Sequence, residues 1–195
     1  MENTAEANQL SRRLVPTFIL EKVQQGEQQG QFEAVTLFVD TSGFTPLTAR
    51  LTERGRDGAE LLANILHAVF EPLVRAVFAH GGYIAGFAGD GFKAIFPTQA
   101  PESYWHALAV AEQIRTHIAT NPTHVTKYGR FEFSVRVSLA DGIVTWAIWS
   151  AKNRSLPQSA LYTFSGSALD QAIEGENHAT GGQIVVTQSV YRSLY

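Results

Sequence analysis

Apolar positions in this chain recur at two different periods, and each change of period marks an element. Residues 33–39 (EAVTLFV) are apolar and β-branched, which predicts a strand. That run stops on one carboxylate, Asp40, and Thr45 followed by Pro46 predicts a helix start a few residues later. Between Asp57 and Ala79 the residues Leu61, Leu62, Ile65, Leu66, Val69, Phe70, Leu73, Val74, Val77 and Phe78 recur at spacings of three and four. This predicts one buried helical face, kinked by Pro72. Two β-rich runs, Tyr83 to Phe87 and Phe92 to Phe96, then flank Gly89-Asp90-Gly91, a tight-hairpin signature. An amphipathic helix is expected over 103–119, two strands over 131–148 broken at Asp141-Gly142, and a strand over 160–165. A helix over 167–175, a strand over 183–187 and the start of a last helix follow.

Near the start, residues 10–24 predict a short helix, and QQGEQQGQ reads as a polar Gly and Gln linker. The expected organisation is therefore a helix and linker over 1–31 and one domain over 32–195. Strands and helices intermix without a βαβ repeat, which predicts an α+β fold with a largely antiparallel sheet covered by helices.

Composition narrows the partners. With 45% hydrophobic and 17% charged residues, the chain fits one globular domain that buries roughly two-thirds of its unfolded surface. The net charge of -3 comes without a basic cluster, so nucleic acid is not an expected partner. The absence of cysteine removes disulfides and thiolate sites and fits a reducing compartment. MENTAEANQLSRR lacks the apolar core of a signal peptide, and His67, Glu71 and Arg75 interrupt the most apolar segment, so no membrane association is expected. A soluble cytoplasmic protein is the expectation. The six histidines show no metal-ligand spacing.

The chemistry concentrates on two aspartates. If the strand ending at Asp40 neighbours the hairpin carrying Asp90, both carboxylates project from one sheet edge. Hard anionic oxygens so placed suit Mg²⁺ or Mn²⁺, which fill their remaining positions with water and substrate phosphate. Backbone N–H groups of Thr41, Ser42, Gly43, Phe44 and Thr45 would then face a polyphosphate at a helix N-terminus. Taken singly, each aspartate is also explained as a turn or cap residue. The aspartic-protease signature is interrupted by Ser42 and has no second copy, and the P-loop pattern is absent.

"LFVDTSGFTPLTARL" resembles the first metal-binding motif of class III adenylyl and guanylyl cyclases, and "GGYIAGFAGDGFKAIFP" resembles the second. The resemblance continues through "DGIVTW", "TFSGSALDQAI" and "GGQIVVTQSVYRSL", and "RRLVPTFILEKV" is similar to the lead-in of bacterial cyclases with tandem catalytic domains. It implies a ferredoxin-like core and synthesis of a cyclic nucleotide from ATP or GTP with release of pyrophosphate. Two metal ions would be held by Asp40 and Asp90, with the Thr41 carbonyl as a further ligand and Ser42 to Thr45 around the phosphates.

In that family the nucleotide site lies between two domains, and the second supplies a lysine, an aspartate or threonine, an asparagine and an arginine. The matching positions here are Gly86, Thr163, Asp170 and Glu174. Only Thr163 keeps a suitable residue, and Asp170 and Glu174 put carboxylates where a polyanion must be stabilised. Two explanations follow. The chain is the metal-donating half of a tandem enzyme, truncated before a second domain, or it is an inactive pseudo-cyclase that regulates or dimerises. A homodimer is expected to be nearly inactive, and bicarbonate activation is not expected, since Gly86 and Glu174 supply neither basic residue. A diguanylate cyclase would need a double glycine before the hairpin acid and a second acid after it, and both are missing. Residues 146–160, with Trp146 and Trp149, are a candidate part of the dimer face or an exposed hairpin.

Overall fold

The run ending on Asp40 is the C-terminal part of a long central strand, β1 (Gln29–Ser42). The computed structural model describes residues 15–100, 102–150 and 160–195. Before β1 lies α1 (Thr17–Gln24), and after it come α2 (Phe44–Thr52), α3 (Gly55–Ala79) and a hairpin of β2 (Tyr83–Ala88) and β3 (Gly91–Pro97). Then follow α4 (Glu102–Thr120), the small β4 (Thr123–Thr126) and β5 (Gly129–Glu132) pair, and the long β6 (Ser134–Ser150). The chain continues through β7 (Ala160–Ser165), α5 (Ser167–Glu176), β8 (Ile184–Val186) and α6 (Gln188–Leu194). The main sheet runs β2-β3-β1-β6-β7, all antiparallel, with β8 added parallel to β6. This is the α+β, mostly antiparallel class that the sequence predicts.

Alternation along β1 sends its residues to two different cores. Val35, Leu37 and Val39 join Phe92, Phe96, Val137 and Leu139 beneath α2, α3 and α4. Ala34 and Phe38 point the other way, toward α1 and α5, where Trp146, Phe164, Ala168 and Ala172 close the second layer. With both faces covered, six consecutive positions, Ala34 to Val39, are buried.

Several local readings are corrected. The strand begins at Gln29, inside the segment read as linker, because Gln29 to Glu33 pair with Ala147 to Ile143 of β6. The preceding helix is not a detached lead-in: Ile19 is buried, and the Phe18 ring lies 5.0 Å from Phe32, 5.7 Å from Tyr83 and 5.6 Å from Trp146. Residues 10–14 of that expected helix and 151–159 of the expected hairpin lie outside the described residues. The Asp141-Gly142 break does not occur either. β6 runs through it because Val35 and Ala34 sit opposite those residues in an uninterrupted ladder, which outweighs local turn preference.

The helix expected to start at Thr45 starts at Phe44, with Gly43 as its cap. α3 contains Pro72 without ending there, and its buried stripe is narrower than the sequence suggests: Ile65, Val69, Leu73 and Val77 are covered, while Leu66 and Phe78 are exposed. By length and composition α3 is apolar enough to cross a membrane, with a mean hydropathy of 1.5 over its most apolar stretch. Its outer face carries His67, Glu71 and Arg75 joined in ion pairs.

Candidate active site

Asp40 and Asp90 stand at the same end of the sheet, on neighbouring stretches of backbone. Asp40 pairs across the ladder with Gly91, so the turn residue Asp90 is carried beside the end of β1. Two bonds fasten that seam. The Thr41 backbone N–H donates to the Asp90 carbonyl at 3.3 Å, and the Thr41 hydroxyl donates to the same oxygen. Thr41 is fully buried on the α3 side, so neighbouring Asp40 faces the α5 side. Gly91 is required by this closeness: a Cβ there would lie 2.4 Å from the Val39 carbonyl. A cleft of about 510 Å³, lined by Phe44, Thr45, Leu62, Phe70, Gly89 and Asp90, opens beside the turn.

The strand on the other side of β1 brings in a residue that sequence reading missed. Arg136 of β6 sits opposite Asp40, and its Nη2 and Nε donate to Asp40 Oδ2 at 2.5 and 3.2 Å. The same Nη2 lies 2.5 Å from Glu176 Oε1 at the end of α5. That oxygen is buried and has no well-aligned hydrogen bond among the described residues, so Arg136 holds it chiefly as an ion pair. The Asp40 hydrogen bond, reinforced by the charges of Asp40 and Glu176, holds the guanidinium above even its usual high pKa, with burial opposing. No local pattern pairs residues 96 positions apart; only the β1–β6 register does.

The segment after Asp40 turns sharply into α2. Ser42 Oγ meets Ser134 Oγ at 2.6 Å, and Gly43 caps the helix with φ 109°. A side chain at Gly43 would also strike the Glu132 carbonyl, 2.2 Å from an ideal Cβ. Phe44 is buried against Phe133 and Phe70, with ring centroids at 4.6 and 5.4 Å, and anchors the loop from below. Thr45, in the first turn, is exposed and lines the cleft. With no side-chain cap on α2, its first N–H groups are free to face an anion.

Can these residues hold a divalent cation? Among the described residues no three His, Cys, Asp or Glu side chains converge on one point. Two carboxylates at an open sheet end do not make a closed site, but they fit a hard ion that takes its other ligands from water and phosphate. A positive group, the guanidinium, already lies against Asp40 in the structure. The donor set therefore fits Mg²⁺ or Mn²⁺ arriving with a nucleotide.

The four remaining positions lie elsewhere. Gly86 on β2 and Thr163 on β7 belong to the two edges of the sheet, which curl toward each other until the Tyr83 and Phe164 rings are 5.5 Å apart. A Cβ on Gly86 would meet nothing within 4 Å. Asp170 and Glu174 are exposed on one side of α5, a helical turn apart, and Glu174 borders a cleft of about 370 Å³ with Gln171, Gly175 and His178. None of the four has been brought to Asp40 and Asp90 by a contact in the described residues.

No family model matches the chain. It is 26% identical over 164 residues to adenylate cyclase type 10 of Rattus norvegicus, covering 83% of this chain and 10% of that protein. The chain thus spans about a tenth of the curated relatives it matches. Among solved structures it resembles the adenylyl cyclase CyaB of P. aeruginosa, at 20% identity and a TM-score of 0.65, over 86% of this chain and 82% of that one. The guanylate cyclase domain of RhGC from Catenaria anguillulae in complex with GTP matches at 21% identity and a TM-score of 0.66, over 85% and 84% of the two chains. At such identities the structural likeness establishes the fold.

Proposed function

We propose that this chain is a class III nucleotide cyclase domain, the reading supported by its motifs, its relatives and its fold, and that it supplies the metal-holding half of a site shared with a second cyclase domain. The observation that carries the reading is the seam in which Thr41 donates twice to the Asp90 carbonyl, which sets both aspartates at one sheet end. Asp40 and Asp90 hold Mg²⁺ or Mn²⁺, with the Thr41 carbonyl as a further ligand and two ions present when ATP or GTP is bound. When bound there, such ions would supply Lewis-acid activation of the ribose 3′-hydroxyl and neutralising charge for the triphosphate and the departing pyrophosphate.

The chain's own residues position and orient. The turn from β1 into α2 offers Ser42 to Thr45 to the phosphates, and Phe44, packed on Phe133, keeps that loop from shifting. Arg136, about a third exposed beside Asp40, has donors in reach of an anion at the same place. The other half is lacking. Gly86 has no side chain for the base, and Asp170 and Glu174 offer negative charge to a polyanion. A partner domain completes the site, and this domain alone turns over little or nothing. The exposed carboxylates Asp170 and Glu174 equally favour a second reading, a pseudo-cyclase that binds metal, nucleotide or a partner domain without catalysis.

The test is cyclic nucleotide formation from ATP and from GTP with Mn²⁺, by this chain alone and by it mixed with a cyclase domain carrying the lysine, asparagine and arginine. Asp40→Asn runs beside both, with its fold checked by circular dichroism. Turnover only in the mixture, abolished by Asp40→Asn, is the expected result. No turnover in either, with Mn²⁺ binding retained, selects the regulatory reading; unchanged metal binding in Asp40→Asn sinks the metal assignment.

A further inference from the structure

We propose that Glu176 is a positioning residue that receives the Arg136 guanidinium when a divalent cation takes Asp40; the inference rests on the reading of Asp40 as a metal ligand. The placement of Glu176 is set by the helix that carries it. Ala168, Ala172 and Glu176 recur every four residues on α5, so all three lie on one stripe of the helix. The two alanines are buried against the sheet, and side chains of the sheet clamp their carbonyls. The Thr36 hydroxyl donates to the Ala168 carbonyl at 2.7 Å, and the Ser138 hydroxyl donates to the Ala172 carbonyl. At Gly175 the helix is so close that a Cβ would come 2.7 Å from Ser138 Oγ. The next position of this small-residue stripe is a carboxylate, aimed at Arg136 and only 14% exposed.

Its bonding is incomplete in a telling way. Glu176 Oε1 is buried, has no aligned hydrogen bond among the described residues, and lies 2.5 Å from the same Nη2 that donates to Asp40 Oδ2. An ion pair so short yet not aligned as a hydrogen bond is only partly satisfied, and a small rotation of the guanidinium would align it. A cation at Asp40 supplies the cause for that rotation, because it repels the guanidinium and claims the oxygen that held it. Arginine stays charged and needs a partner at short range. With Glu176 present, Arg136 changes partner without leaving the site; without Glu176 it must either keep Asp40 from the metal or go out to solvent.

The experiment is a titration of this chain with Mn²⁺ alone, reading free Mn²⁺ by electron paramagnetic resonance. It covers the wild type, Asp40→Asn, Glu176→Gln, Glu176→Asp, Arg136→Met and the Arg136→Met/Glu176→Gln pair. Glu176→Gln should weaken Mn²⁺ binding by roughly tenfold or more, the scale found for residues that orient a metal site's ligands. Glu176→Asp keeps the charge but shortens the reach and should show a similar loss; it decides the matter if Glu176→Gln does not fold. Arg136→Met should bind Mn²⁺ more tightly, and on that background Glu176→Gln should change little.

Wild-type affinity in Glu176→Gln or Glu176→Asp overturns the proposal. So does an equal loss on both backgrounds, which would mean that Glu176 acts only as a distant negative charge. If the wild type binds no Mn²⁺, or Asp40→Asn binds it as well as the wild type, the metal reading fails and this inference falls with it.

Discussion

Replacing Gly91 by alanine tests whether the seam between β1 and the hairpin sets the geometry of the site. An ideal Cβ at that position lies 2.4 Å from the Val39 carbonyl and 3.3 Å from the Asp40 Cα. Both are backbone atoms of the central strand, so neither can swing aside. Relieving the carbonyl contact alone needs a shift of roughly half an ångström or more, which must open the β1–β3 ladder at the rung that carries Asp40 and Gly91. The same shift strains the Thr41 bonds to the Asp90 carbonyl, one of them already at 3.3 Å.

Overpacking of this kind costs about 1–3 kcal/mol, and a metal or substrate group misplaced by an ångström costs on the order of 10²-fold in rate. Gly91→Ala should therefore lose about 1–3 kcal/mol in urea unfolding and weaken Mn²⁺ binding more than its stability loss alone explains. Gly86→Ala, on the same hairpin with open space around its Cβ, is the control and should behave as wild type in both assays. Wild-type stability and Mn²⁺ affinity in Gly91→Ala would refute the argument that close backbone approach holds the two aspartates together.

Three further outcomes are expected. The Tyr83 hydroxyl is buried with no hydrogen bond among the described residues, and burial pushes its pKa well above the ordinary value. The folded state thus keeps this proton longer than the unfolded chain does, so the contribution is complete below about pH 10 and is lost as pH rises above it. Tyr83→Phe should leave neutral-pH stability unchanged or raise it by about 1 kcal/mol and flatten the alkaline fall, read by urea unfolding at about pH 8 and about pH 10.5; a clear loss at neutral pH would show that the hydroxyl is bonded after all. The triple variant Gly86→Lys, Asp170→Asn, Glu174→Arg fills open or exposed positions and should raise Mn²⁺-dependent turnover of the homodimer by roughly 10²-fold or more, while no gain would count against the half-site reading. Thr36→Val removes a buried donor to the Ala168 carbonyl and should destabilise the domain by about 1–2 kcal/mol in thermal unfolding; an unchanged melting temperature would mean that α5 is held by apolar packing alone.

Much of this protein was legible from its residues. The β-branched run into Asp40, the Gly89-Asp90-Gly91 turn and the three-and-four spacing of α3 and α4 are local signals, because neighbours in sequence set backbone preference and the direction of each side chain. They located both aspartates, the hairpin and the loop of Ser42 to Thr45, and with them the family resemblance. Local signals failed where distant strands decided the outcome. Asp141-Gly142 reads as a turn but lies within β6, because ladder bonds to Val35 and Ala34 outweigh the preference of two residues. Gln29 to Gln31 read as linker but join the sheet for the same reason. Arg136 and Glu176 carry no mark of their own, being an ordinary strand residue and the last residue of a short helix. Their meeting at Asp40 follows from the β1–β6 register and from the close seat of α5 on the sheet. Local order along the chain was enough to pick out the two aspartates and the turns they stand at; that Arg136 and Glu176 lie beside Asp40 depends on strand register and helix seating, which are set by contacts between residues far apart in the chain.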